Sequence, residues 1–161
     1  MTLNLTDFKN KLSKDFNVKW NVNNSVEFLW NYEVNAKKEL LWPYIADTSR
    51  FNRELGLAPR TEVEKDGKVL VTTTVIGLKQ EWIEEPWMWI NETLITAERN
   101  YLQGIGKSVQ AAYLLVEEGE KTRVYIYFGW VPQNAFWKFF LKATENVLKN
   151  QFAASFKKIE T

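Results

Sequence analysis

The side chains able to do chemistry in this chain are few in type. It has no Cys and no His, which removes disulfides, thiol nucleophiles, Cys or His metal sites and every imidazole-based acid–base step. Arg, Tyr, Trp and carboxylates remain. Arg99 closes a run that reads as a strand, with Ile95, Ala97 and Arg99 on one face and Leu94, Thr96 and Glu98 on the other. An arginine on an apolar face demands a carboxylate or a ligand anion, because an unpaired buried charge is very costly. The alternative is a strand end in water. Glu81, Glu84 and Glu85 cluster beside Pro86. Paired carboxylates can do acid–base work, but a charge run of this kind reads as a solvated rim. Just beyond it, Trp87 and Trp89 share one strand face, with Met88 on the other. With Trp82 they could build an aromatic wall or an exposed docking patch.

Composition narrows the classes further. The 161 residues fit one domain with a sizeable core. The net charge is +1 and the 21 basic residues are scattered, so neither nucleic acid nor an acidic membrane is favoured. Eight Trp and an aromatic fraction of 15% stock either a core or a ring-lined cavity. The polar residues 1–10 carry no apolar signal segment, and the longest apolar run, residues 40–46, is far short of the ~20 residues of a membrane span. A cytoplasmic location without stable membrane insertion is expected. No metal, cofactor or catalytic motif is read from the residues.

The elements that must position these groups can be taken in chain order. Residues 4–16 read as an amphipathic helix with Leu5, Phe8, Leu12 and Phe16 on one face and Thr6 as cap. Residues 26–34 alternate with period two, a strand. Asn35 would cap a helix over 36–46, disturbed by Pro43, and Asp47 would cap a second short helix through Arg53. From Arg60 onward turn signals recur: Asp66-Gly67, Gly77-Leu78, Gln103 to Gly106 and Glu118-Gly119-Glu120. The stretch 87–99 can be one bent strand or two. The total is about seven strands in an antiparallel meander.

Residues 132–160 close the chain as one long helix, with Asn134 as a possible cap. One apolar stripe holds Phe136, Phe140, Ala143, Val147 and Ala154, and a second holds Trp137, Leu141, Leu148, Phe152 and Ile159. A helix this apolar needs a large surface to lie in, and the sheet is the only candidate. Across it, the last strand puts Val124, Ile126, Phe128 and Trp130 on the core face. Tyr125 and Tyr127 would face outward or toward a partner.

This order of strand, two short helices, antiparallel strands and long C-terminal helix looks like the helix-grip fold of the START-like, or SRPBCC, superfamily. That superfamily includes the birch-pollen-allergen proteins and polyketide cyclases. The segment from Glu39-Leu-Leu-Trp-Pro-Tyr-Ile-Ala to Asp47 resembles the superfamily's first helix pair. Residues 47–57, 80–90 and 104–113 are similar to the N-terminal SRPBCC domain of some bacterial adenylate/guanylate cyclases. The resemblance implies an α+β fold: a curved sheet wrapped around the C-terminal helix, over residues 25–161. Residues 1–24 form a helix-and-loop extension. It also implies a cavity between sheet and helix for a hydrophobic or amphipathic small molecule, lipid-like or polyketide-like. Trp82, Trp89, Arg99, Tyr113, Phe128 and Trp130 would line that cavity, with Phe136 and Phe140 as roof. Three functions stay open. One is a non-enzymatic sensor, carrier or regulatory module, acting with an attached or partner cyclase-like signalling domain. Another is a polyketide cyclase or hydratase using the same cavity through Arg99, Tyr113 and carboxylates. The third is a protein-interaction module with a filled cavity.

Overall fold

The computed structural model describes residues 2–47, 60–75 and 77–160. Helix α1 (Leu5–Phe16) follows from the four-residue spacing of its apolar face, which buries Phe8 and Leu12. Its cap is Asn4 rather than Thr6. Asn4 has the extended backbone a cap needs, and its side chain accepts the Asp7 N–H at 2.9 Å. Strand β1 (Val26–Val34) buries Val26, Phe28, Trp30 and Val34, as the alternation requires. Helix α2 (Lys38–Ala46) starts later than expected. Asn35 does not cap it, because it lies two residues before the cap position; its N–H donates to the Glu160 carboxylate at 2.6 Å. Lys37 takes the cap position without a side-chain bond. Pro43 lies inside α2, where it removes the N–H that would reach the carbonyl four residues back. The second short helix expected from Asp47 lies outside the described residues.

The remaining strands are β2 (Arg60–Lys65), β3 (Lys68–Val75), β4 (Leu78–Glu84), β5 (Met88–Ile90), β6 (Leu94–Gln103), β7 (Gly106–Glu118) and β8 (Lys121–Pro132). The described strands number eight, one more than expected, because the chain turns between β5 and β6, where Glu92 has φ 53°. All pairings are antiparallel, in the order β1-β8-β7-β6-β4-β3-β2, with β5 on β6. Asp66 and Gly67 both take positive φ (52° and 71°) in the β2–β3 hairpin, the conformation a tight two-residue turn demands. Gly104 has φ 143°, and a Cβ there would run into the Gln80 side-chain amide. The β6–β7 corner therefore needs glycine.

Helix α3 (Ala135–Ile159) begins where expected, with the Asn134 side chain accepting the Trp137 N–H at 3.2 Å. Asn134→Ala should cost about 1 kcal/mol in a urea titration, the usual value of a lost cap. Tethers fix α3 over β1: the Trp30 indole donates to Glu145 at 3.1 Å and the Tyr32 hydroxyl to the Lys149 carbonyl at 2.9 Å. A helix turns about 100° per residue, so only one of its two apolar stripes can meet the sheet. That stripe is the second, with Leu141 fully inside and Trp137, Leu148, Phe152 and Ile159 packed on the core; Phe156, assigned to neither stripe from the sequence, is buried with them. The first stripe looks away: Phe136 is 64% exposed and Val147 50%.

The sheet carries a core on each face. The inner one joins β1, β8, α2 and α3 through Phe28, Trp30, Leu41, Ile126 and Phe156. The outer one packs Phe8 and Leu12 of α1 on Leu94, Ala112, Leu114, Tyr125 and Tyr127. Tyr125 and Tyr127 are thus buried on the outer face, covered by the chain's own first helix rather than by solvent or another molecule. The Tyr127 hydroxyl donates to Glu27 at 2.7 Å and accepts from Asn24 at 3.1 Å.

Candidate functional site

Alternation on four neighbouring strands aims rings and charges at one space under α3. From β4 come Gln80 and Trp82; from β6, Arg99 and Tyr101; from β7, Tyr113; from β8, Phe128 and Trp130. Helix α3 closes the space with Leu148, Gln151 and Phe152, and Arg60 enters at the start of β2. The cavity, partly open to solvent, measures about 200 Å³. Its rings touch in sequence: Trp82 to Tyr101 at 5.4 Å, Tyr101 to Trp130 at 5.8 Å, and Phe128 to Phe152 at 6.1 Å. A bulge in the β4–β6 pairing falls between Glu81 and Trp82, a device that re-aims side chains beside sites.

Behind this wall lies Glu84, only 8% exposed. Its carboxylate accepts the Trp82 indole N–H at 2.6 Å, the Trp87 indole N–H at 2.7 Å, Arg60 Nη2 at 3.2 Å and Arg99 Nε at 3.3 Å. Four donors fill the acceptor capacity of a carboxylate. Both guanidiniums also lie over the Trp82 ring, at 5.7 Å for Arg60 and 5.1 Å for Arg99. Burial alone would push the Glu84 carboxyl up, but Arg99, the Trp82 N–H, Arg60 and the Trp87 N–H together hold it below the usual range. Burial works against the Arg99 charge, but Glu84, Tyr101 and Tyr113 together outweigh it, so the guanidinium holds its proton more tightly than usual. The Tyr101 hydroxyl is pushed up to about 12, by burial first and against the pull of Arg99. Burial raises Tyr113 too. Among the described residues no cluster of three or more acidic side chains could hold a metal ion.

Of the residues expected at the site, Trp82, Arg99, Tyr113, Phe128 and Trp130 line the cavity. Trp89, Phe136 and Phe140 do not. Trp89 is 62% exposed and stacks on Trp42 of α2 at 6.2 Å, because β5 pairs with the start of β6, Trp89 opposite Ile95, whereas the cavity residues Arg99 and Tyr101 lie toward the other end of β6. Phe136 and Phe140 belong to the stripe of α3 turned from the sheet, and both pack on Trp137, at 5.0 and 5.4 Å. Arg99 is neither solvated nor alone: Glu84 is its partner. Glu84 itself corrects the reading of the acidic cluster as a solvated rim. Its position on the face of Gln80 and Trp82 was visible in the alternation of β4. Arg60 carried no such signal, being the first residue of its strand after Pro59.

A sheet of antiparallel strands closing with a C-terminal helix around a ring-lined cavity is the helix-grip, START-like architecture. Solved structures similar to the chain include the aromatase/cyclase Zhui of Streptomyces sp. R1128, 14% identical, with TM-score 0.68 over 84% of this chain and 93% of that one. Another is TTHA0849 of Thermus thermophilus, 18% identical, with TM-score 0.61 over 84% and 94%. A third is Ara h 8.0201, 13% identical, with TM-score 0.59 over 83% and 97%. No protein-family model and no curated protein matches the chain. None of these comparisons shows the expected likeness to the N-terminal domain of nucleotide cyclases. Among the described residues no helix is long and apolar enough to cross a membrane.

Proposed function

We propose that the protein is a non-enzymatic binding module for a hydrophobic or amphipathic small molecule. The molecule is held between the sheet and α3, and the module serves as sensor, carrier or regulator of an attached or partner signalling domain. One observation carries this reading: the cavity of about 200 Å³, walled by Trp82, Tyr101, Tyr113, Phe128 and Trp130 and closed by Leu148 and Phe152. Concave, mostly apolar spaces with a few convergent polar groups are the usual form of a small-molecule site. The polyketide cyclase alternative, which the likeness to Zhui brings to mind, needs a group poised to move protons near neutrality. Glu84 is held ionised and spent on four donors, and Tyr101 and Tyr113 are shifted away from neutrality, which favours binding over turnover.

Native mass spectrometry of protein purified from cells, followed by denaturing extraction, tests the reading. A co-purifying small molecule released on denaturation is expected. A clean apo mass, with no thermal shift from fatty acids, sterols or aromatic compounds, would turn attention to the exposed aromatic start of α3 as a partner surface. Leu148→Trp should fill the cavity from the helix side. The expected result is loss of more than half of any ligand-induced Tm increase, read by differential scanning fluorimetry, while the far-UV circular dichroism stays unchanged.

A further inference from the structure

The net charge of +1 averages over an uneven distribution. Strand register gathers several segments at one end of the sheet. Val26 of β1 pairs with Trp130 of β8, Gly106 of β7 with Pro132, and Gln103 of β6 with Glu81 of β4. The Ser25 N–H donates to the Trp130 carbonyl at 2.9 Å and the Gln133 N–H to the Ile105 carbonyl at 3.1 Å, so the turn before β1 and the entry to α3 belong to the same end. Residues 21–25, 77–80, 102–108 and 130–142 form this end, and they hold four lysines and no acidic residue. The first carboxylates met further along β1, β4 and α3 are already engaged. Glu27 is held by Lys9 at 2.6 Å, Glu81 by Lys79 at 3.0 Å and Glu145 by the Trp30 indole at 3.1 Å. That leaves Lys107, Lys138 and Lys142, all exposed and without an ion pair among the described residues. At the opposite end of the sheet the bases are answered: Lys37 by Glu120 at 3.3 Å, Lys38 by Glu117 at 3.8 Å, Lys121 by Glu33 at 2.6 Å and Arg123 by Glu118 at 2.8 Å.

The unanswered end also holds large apolar side chains in water. Phe136 is joined there by Phe139, 73% exposed, Leu102, 62%, and Val22, 93%. Phe136 and Phe139 are neighbours on the surface of α3, with Lys138 and Lys142 beside them. Apolar tips set among unpaired cations match a surface that is anionic outside and hydrocarbon beneath. A second copy of the chain is a poor occupant, because a symmetric contact through this end would set lysine against lysine. An acidic protein would need a groove cut to these side chains, whereas a bilayer accepts them at any spacing, which suits tips drawn from three separate segments. We propose that this end of the molecule docks reversibly on an anionic lipid bilayer. Phe136, Phe139 and Leu102 enter the boundary between headgroups and acyl chains, and Lys107, Lys138 and Lys142 meet lipid phosphates and carboxylates. The docked surface adjoins the cavity: Gln80 and Ile105 line both the cavity and a crevice at this end formed with Leu78, Gly104 and Trp137. Docking itself needs no guest, so it goes beyond the binding role and does not depend on it.

Vesicle co-flotation of the full chain tests this. One set of vesicles is phosphatidylcholine alone and the other contains about 30 mol% phosphatidylserine, to supply the negative surface potential. Binding to the anionic set is expected to be at least tenfold stronger. It should fall severalfold between about 0.1 M and about 1 M salt, as the Debye length shortens from about 10 Å to about 3 Å. Phe136→Ser combined with Phe139→Ser should weaken it roughly tenfold, and so should Lys138→Glu combined with Lys142→Glu. All four side chains are exposed or rim positions, so far-UV circular dichroism should not change. Val147→Ser is the control: it removes a half-exposed apolar side chain of α3 about 16 Å further along the helix, and binding should be unaffected. Equal binding to both vesicle types, or to neither, would overturn the proposal, as would a loss in Val147→Ser matching that of the phenylalanine pair. Self-association in sedimentation velocity, without vesicle binding and abolished by the phenylalanine pair, would assign the surface to a second copy instead. The two readings fail separately: vesicle binding by a protein with no guest leaves docking and removes the binding role, and a guest without vesicle binding does the reverse.

Discussion

Glu84→Ala is expected to be the most damaging single substitution at the site, lowering stability by about 3–5 kcal/mol in a guanidinium titration. For a chain of this length that corresponds to a fall in Tm of roughly 10 °C. The carboxylate is nearly buried and is the shared acceptor for Arg60, Arg99, Trp82 and Trp87. Removing it takes the shared acceptor from Arg99 and two indole N–H groups at once and leaves Arg60 with Glu62. Glu84→Gln keeps the shape and one acceptor oxygen, so its loss should be smaller. The pH dependence has a definite sign. Because the folded-state carboxyl lies below its usual range, its contribution is complete above the unfolded value, near pH 4.3. It is lost as pH falls through the lower folded value. Wild-type protein should therefore lose more stability below about pH 4 than Glu84→Gln does. Parallel acid profiles for the two would show that Glu84 is not held ionised by its neighbours.

Phe8→Ala should rival that loss from the opposite side of the sheet. Phe8 is fully buried between α1 and β8, 5.9 Å from the Tyr125 ring and 6.1 Å from those of Tyr127 and Trp20. Truncating a buried phenylalanine costs about 3–5 kcal/mol. The outer core shares no side chain with the cavity, so a ligand-induced Tm increase should persist at nearly its wild-type size in the variant. Denaturation and ligand-shift curves measured together would check this. A Phe8→Ala protein of unchanged stability would mean that α1 is an appendage instead of the outer half of the core.

Much of this architecture could be read from periodicity. The period-two runs of β1 and β8 carry strong signals, as do the Asp66-Gly67 hairpin and the apolar face of α1. Each is set by contacts close in sequence. The inward faces of β6 and β8 were legible for the same reason, so Arg99, Phe128 and Trp130 were found. What failed depends on packing between distant segments. Two apolar stripes on α3 were equally good as sequence, and only the sheet decides which is buried, so Phe136 and Phe140 were misplaced. Trp89 shares a strand-like pattern with Trp87, but the turn at Glu92 pairs β5 with the edge of β6 and sends the ring to Trp42. The buried charges were hidden because a glutamate beside other glutamates looks solvated until two arginines from other strands arrive. Tyr125 and Tyr127 looked exposed because nothing local tells a strand that a helix more than a hundred residues earlier lies over it.

The absence of histidine, noted at the outset as a limit on catalysis, has a different meaning inside the cavity. Its charged wall is built from two guanidiniums, one carboxylate locked below its usual range, and phenols raised above theirs. None of these changes protonation between about pH 5 and pH 9. In the proposed binding role this wall is electrically constant over that span, so a change of uptake with acidity would be set by the guest. A pH titration of binding would thus read out the ionisation constant of whatever the cavity holds, with the protein as a silent reference.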